Sequence, residues 1–304
     1  MLAILTPKPF RGDVIAAGVV VLATLVWTLV ARFGDTWPAG VHLAYCAVAC
    51  AFAGVLALRA PMEGDAPRAY QSVLFVATIA LWTLVAAIAL TFVEDDDAAS
   101  FYAATGAATA VVAFAFAVRR NSAACTLIGS LTLGIAVLLA VGALWSPEVQ
   151  TFRWILLAEA GILGFAAIGQ RDRHLRHGVA LIDAAGLAIL AIGMTYVYPW
   201  YFGFDEELHA VGWGWELVIV AAGFGLIAYS SVDRQPGPAY LGVFNLILFT
   251  LVTSVDIDGP TLLGWPLALA LAAVFLLVVG LRPTTPAPPP PDIDAPEPPP
   301  LPLR

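Results

Sequence analysis

Long apolar runs of roughly twenty residues follow one another along the chain, each closed by a short polar or proline-bearing stretch. An α-helix needs about 20 mostly apolar residues to cross the ~30 Å hydrocarbon core of a bilayer. Ten runs approach that requirement: 13–32, 41–58, 71–93, 99–118, 121–145, 150–170, 176–198, 211–231, 239–254 and 267–281. Proline breaks helix interiors, and none of the 22 prolines falls inside a run. Pro38, Pro61, Pro67, Pro147, Pro199, Pro236, Pro238, Pro260 and Pro266 separate them, and the rest sit at the two ends. The pattern predicts an all-α fold, a polytopic transmembrane helix bundle of about ten spans. Its ninth run is among the shortest.

Composition narrows the class. Of 304 residues, 61% are apolar and 12% charged, with a formal charge of −8. Soluble domains are about one quarter charged, and nucleic-acid binders carry a basic surface. The sequence therefore excludes a soluble enzyme, a disordered chain and a nucleic-acid partner, and points to a lipid bilayer as the surroundings. Lys and Arg in short loops mark the cytoplasmic face. The N-terminus, the even-numbered connections and the C-terminal segment hold 12 of the 14 basic residues, leaving Arg32 and Arg153 to the other side. Both termini are thus expected in the cytoplasm, in a bacterial cell membrane. Eight of nine tryptophans then fall at outer span ends, with Trp82 alone mid-span, as do the runs 94–97 and 205–207 and the pair Asp256/Asp258. Indole rings favour that headgroup level. The first run is too long for a signal-peptide core and is expected to stay as an anchor.

Three segments result: a cytoplasmic N-terminal piece at 1–12, the transmembrane domain at 13–282, and a tail at 283–304 with 11 prolines in 22 residues. Such a tail is expected to be disordered or polyproline II. It ends Pro299-Pro300-Leu301-Pro302-Leu303-Arg304, the spacing of a PxxP ligand with a trailing cation. A solvated extension is the plainer reading, and a cytoplasmic protein partner through Pro283–Arg304 is the sharper one. Val26-Trp27-Thr28-Leu29-Val30-Ala31 resembles Leu81-Trp82-Thr83-Leu84-Val85-Ala86, and each second span closes on arginine. This suggests tandem two-helix hairpins, first with second and third with fourth, although alternating topology alone gives similar punctuation. Small residues four apart could form span interfaces: Gly106/Ala110, Ser130/Gly134, Ala160/Gly164 and Ala221/Gly225.

Ionisable groups inside spans are costly and count as functional candidates. Glu159 lies mid-way in the sixth run, Asp183 seven residues into the seventh, and Glu216 about a turn inside the eighth. Glu159 and Asp183 differ in depth by some four residues, about 6 Å, close enough to pair if both face inward. A carboxyl in a poorly hydrated site is the group type that carries a proton along a transport path; the plainer role is bracing the bundle. Cys46, Cys50 and Cys125 lie in apolar runs as buried thiols, and His42 and His209 stand alone. His174 and His177 sit in an arginine-rich turn without the cysteines of a zinc site. No phosphate loop, dinucleotide motif or nucleophile elbow is present, so neither enzyme activity, a cofactor nor a resident metal is expected.

In span count and orientation the chain resembles the drug/metabolite transporter architecture, a resemblance that carries over no residue. The proline-free spans lack the broken helices of many carriers, and the mid-span polar inventory is Glu159, Ser130, Thr132 and Asn245 with little else. Two readings follow. The favoured one is a non-catalytic scaffold, sensor or accessory subunit; the alternative is a proton-coupled secondary permease for a small solute using Glu159.

Overall fold

The computed structural model describes residues 11–62, 64, 66–92, 98–145, 148–197 and 212–254. The tenth run, the tail and the aromatic-acidic stretch near 199–210 lie outside them. The described residues form nine α-helices and no strand: α1 (Gly12–Phe33), α2 (Ala39–Arg59), α3 (Ala69–Leu90), α4 (Ala98–Arg120), α5 (Ala123–Trp145), α6 (Val149–Arg171), α7 (Leu175–Val197), α8 (Trp213–Asp233) and α9 (Pro236–Ser254). Eight of these, α1 to α8, are long and apolar enough to span a membrane. Val118, Phe165 and Val14 stand 84%, 79% and 75% exposed. Large apolar groups turned outward on apolar helices fit a multi-pass integral membrane protein, since lipid is their natural neighbour.

Helix ends follow local chemistry. Ala60 stops α2 with an extended ψ of 123°, as a residue before proline must. Asn121, at φ 49°, closes α4, and the Ser122 amide reaches back to the Ala117 carbonyl. That is a Schellman closure, and Asn is a residue that tolerates it. Ser122 then caps α5 through its hydroxyl to the Cys125 amide, 3.4 Å. The α9 boundary corrects the sequence expectation: the helix starts at Pro236, so Pro236 and Pro238 lie in its first turn. First-turn amides have no intrahelical acceptor, so proline costs nothing there.

Backbones pack only on helices one or two places along the chain. The odd-numbered helices α1, α3, α5, α7 and α9 touch in series, while even-numbered backbones do not meet. This is a linear array of the kind in which each unit contacts only its neighbours. The closest consecutive pairs are α2/α3, α4/α5, α6/α7 and α8/α9. Hairpins are therefore present, but shifted by one helix from the expected register. The arginine-bearing turns lie inside hairpins: only Asn121 and Ser122 join α4 to α5, and only Arg234 and Gln235 join α8 to α9. Two-residue connections hold these neighbours antiparallel and adjacent.

Side chains bridge the even helices at their ends. Arg120 donates to the Ala57 carbonyl at 3.0 Å and to the Leu58 carbonyl, satisfying the C-terminus of α2. Arg171 of α6 meets Asp233 of α8 at 2.5 Å, and at the opposite ends Trp154 and Trp215 pack with ring centroids 4.9 Å apart. We call the side carrying Arg59, Arg120, Arg171 and Arg234 the arginine side. Mid-span Trp82 donates its indole N–H to the Ala108 carbonyl of α4, 3.2 Å away, so it serves a helix contact. Of the consecutive pairs, α5 and α6 pack most loosely, and there the candidate site lies.

Candidate functional site

Glu159 projects from the middle of α6 onto α5 at Gly134. A Cβ built on Gly134 would collide with both carboxylate oxygens. The absence of a side chain at 134 is what lets the carboxyl rest on the helix backbone. The Ser130/Gly134 pair picked out by spacing is thus an interface, but one that receives a carboxyl group instead of a second helix backbone. Gly106 also packs closely, since a Cβ built on it would lie 3.2 Å from the Thr132 carbonyl oxygen of α5, whereas Gly164 and Gly225 face open space.

Two cavities flank the α5–α6 seam, and Glu159 lines both. The larger, about 480 Å³, runs from Glu159 toward the side away from the arginines, past Leu138, Gly142 and Phe152 to Thr195. The smaller, about 330 Å³, lies at mid-span on the other flank, from Val137 and Ile155 to Ser130, Leu163 and Leu181. Their linings share no other residue. Both walls are overwhelmingly apolar, so the polar atoms present define the chemistry.

Those polar atoms differ between the two cavities. The Thr195 hydroxyl donates to the Ile192 carbonyl at 2.7 Å and accepts from Arg153 Nε at 2.9 Å. Ser130 is 3% exposed, and its hydroxyl makes no hydrogen bond within the protein. A buried hydroxyl left this way costs about 1–3 kcal/mol, which marks the small cavity as a place for a polar guest. Thr132, by contrast, donates to its own helix at Ile128, 2.8 Å.

One turn beyond Ser130 and Leu181, toward the arginine side, a three-residue clamp joins α5 to α7. Thr126 Oγ1 lies 2.5 Å from His177 Nδ1, and His177 Nε2 lies 2.7 Å from Asn121 Oδ1. With the amide oxygen accepting, Nε2 carries the proton and Nδ1 accepts from the threonine.

The other expected residues are placed elsewhere. Asp183 turns from α7 to the first turn of α9, where a Cβ on Gly237 would lie 2.9 Å from its Oδ2. Its Oδ1 is buried without a hydrogen bond. Glu159 and Asp183 thus serve different interfaces, and the hairpin does not bring them together as a pair. Glu216 is buried in the first turn of α8 beside Trp215. Asn245 of α9 braces α7, donating to the Gly186 carbonyl at 3.3 Å. His42 is enclosed, contacting the Tyr45 hydroxyl at 2.6 Å and the Phe33 carbonyl at 3.1 Å.

Arg153 is the residue that sequence reasoning missed. Treated there as a flanking charge, it is 8% exposed, bound to Thr195 and set over the Tyr196 ring at 3.5 Å. Its place four residues inside α6 was the available signal.

No protein family, curated protein or solved structure matches the chain. The site must speak for itself.

Proposed function

We propose that the chain is a proton-coupled secondary permease for a small, largely apolar solute, with Glu159 as the proton-carrying group. One observation carries the reading: a carboxyl seated on a bare helix backbone borders two cavities on opposite flanks of the α5–α6 seam, one at mid-span and one extending toward the side away from the arginines. A bracing carboxyl would need neither cavity. The apolar walls favour a solute that is itself mostly apolar, oriented by one polar contact. With the positive-inside bias, the arginine side is cytoplasmic and both termini face it.

The test is Glu159→Gln, which keeps shape and removes the ionisable group. Proteoliposomes loaded with a pH-sensitive dye are given an inward proton gradient and a panel of small amines, carboxylates and neutral amphiphiles. Wild-type protein is expected to dissipate the gradient with at least one class, and Glu159→Gln to lose that coupled flux. Unchanged coupled flux in the variant would return the scaffold reading to first place.

A further inference from the structure

We propose that Glu159 exchanges its proton with the arginine side only, along a relay formed by His177, Thr126, Ser130 and water in the smaller cavity. The inference rests on Glu159 being the proton carrier and assigns the route that loads it.

The relay is written in the register of α5. Thr126, Ser130 and Gly134 are four residues apart, so they share one helix face in steps of about 6 Å. The last step is where the Glu159 carboxyl lies. Direct transfer over such steps is too long, but water can bridge them. A water occupies about 30 Å³ in the liquid and needs two or more polar partners. The cavity offers about 330 Å³ with Ser130 and Glu159 among its lining residues. Ser130 is buried with an unused donor and acceptor, which is what a relay position requires.

The clamp, one turn from Ser130 and Leu181, supplies the entry. Thr126 has two acceptors for its proton, His177 Nδ1 at 2.5 Å and the Ser122 carbonyl at 3.4 Å. When the hydroxyl turns to Ser122, Nδ1 is free to take a proton from the arginine side. Imidazolium Nδ1–H then donates to Thr126 Oγ1. In the transfer the Nδ1–H bond breaks as a new Thr126 O–H forms, and the old Thr126 proton passes to cavity water. That water protonates the Ser130 oxygen while the Ser130 proton passes to a second cavity water, which gives up one of its own protons to the Glu159 carboxylate. The net change is one proton lost by His177 and one gained by Glu159, and the threonine again donates to Nδ1, the arrangement observed.

The larger cavity is unsuited to the same task. Its far hydroxyl, Thr195, is already committed in both directions, and the Arg153 guanidinium beside it opposes the entry of another positive charge. A proton path and a solute path are thereby separated on the two sides of one carboxyl. Few other charges bear on the route. His174 lies edge-on to His177 with ring centroids 5.8 Å apart. Arg171, Asp172, Arg173 and Arg176 share its turn, while Arg120 is drawn away to α2. Asp183 on α7 faces α9, and neither cavity wall holds an ionisable side chain besides Glu159.

The experiment uses the full chain in phosphatidylcholine–phosphatidylglycerol vesicles. The carboxylic-acid C=O stretch of Glu159, identified by its loss in Glu159→Gln, is followed by infrared difference spectroscopy after a pH step on one side. Ser130→Ala, Thr126→Val and His177→Gln are each expected to slow its appearance by about a hundredfold without moving the midpoint of the titration. Thr126→Ser, which keeps the hydroxyl, is expected to restore the rate and guards against a folding defect. A step on the arginine side should reach Glu159 faster than one on the other. Wild-type rates in all three variants, or equal rates from both sides, would overturn the route while leaving Glu159 as carrier. A wild-type protein with no titrating Glu159 band would overturn both.

Discussion

Replacing Gly134 by alanine is expected to abolish coupled transport while leaving the fold standing. The new methyl group would occupy the place of the Glu159 carboxylate. What it meets is the far end of a flexible side chain, so Glu159 yields and α5 does not. Overpacking costs about 1–3 kcal/mol, but alanine in a helix interior recovers about 0.5–1 kcal/mol over glycine. Net destabilisation should therefore lie between roughly 0 and 2.5 kcal/mol, whereas a carboxyl displaced by an ångström or more can lose about a hundredfold in rate. Gly164→Ala and Gly225→Ala are the controls. Both face open space and should gain stability with full transport. Detergent melting curves and proton-coupled flux, measured on the same three preparations, separate the effects. Full flux in Gly134→Ala would show that the carboxyl has no need of its seat.

The helices were legible because hydropathy and length are local properties. Each of the nine described helices lies on an expected run, with ends displaced by a few residues at most. The ninth was shortened because Pro236 and Pro238 read as breakers, and only the helix start shows that they occupy positions with no amide to lose. Hairpin register was misread for a different reason. Arginine punctuation marks one side of a membrane but does not say whether a turn lies within a pair or between two pairs. Connection length does not settle it either: three residues join the loosely packed α5 and α6, whereas nine join the closely packed α2 and α3. Glu159 stood out because a charge in mid-run is conspicuous. That its seat is Gly134, 25 positions earlier, requires the third dimension. The Thr126–His177 contact spans 51 residues and leaves no trace in spacing. Arg153 was hidden by its position near a helix end, where a flanking charge is ordinary.

Substitution at Gly242 is expected to be the most damaging single change to the bundle itself. A Cβ there would lie 2.6 Å from the Gly223 carbonyl oxygen and 3.1 Å from the Ile227 amide nitrogen. Both are backbone atoms of α8 and cannot rotate away, so α8 and α9 must separate. Lipid is as apolar as the side chains it would replace, so helix contacts in a bilayer rest on close backbone approach. Gly242→Ala should cost about 1–3 kcal/mol, and Gly242→Val more, because its larger side chain holds the helices further apart. The reciprocal Gly223→Ala meets chiefly the Leu246 side chain, with Cδ2 at 2.8 Å and the Gly242 carbonyl further off at 3.2 Å. Leucine can change rotamer, so this substitution should cost less. The double variant should fall short of the sum, since helices already parted by one methyl admit the second, as expected for residues that share a contact. Midpoints of denaturant-induced unfolding in mixed micelles give all three values. Asn245, three residues beyond Gly242, still ties α9 to the Gly186 carbonyl of α7. The loss should therefore be confined to the α8–α9 contact, leaving titration of Glu159 at the α5–α6 seam unchanged. A double variant as costly as the two single changes added together would mean that the glycines act at separate contacts and not at one crossing.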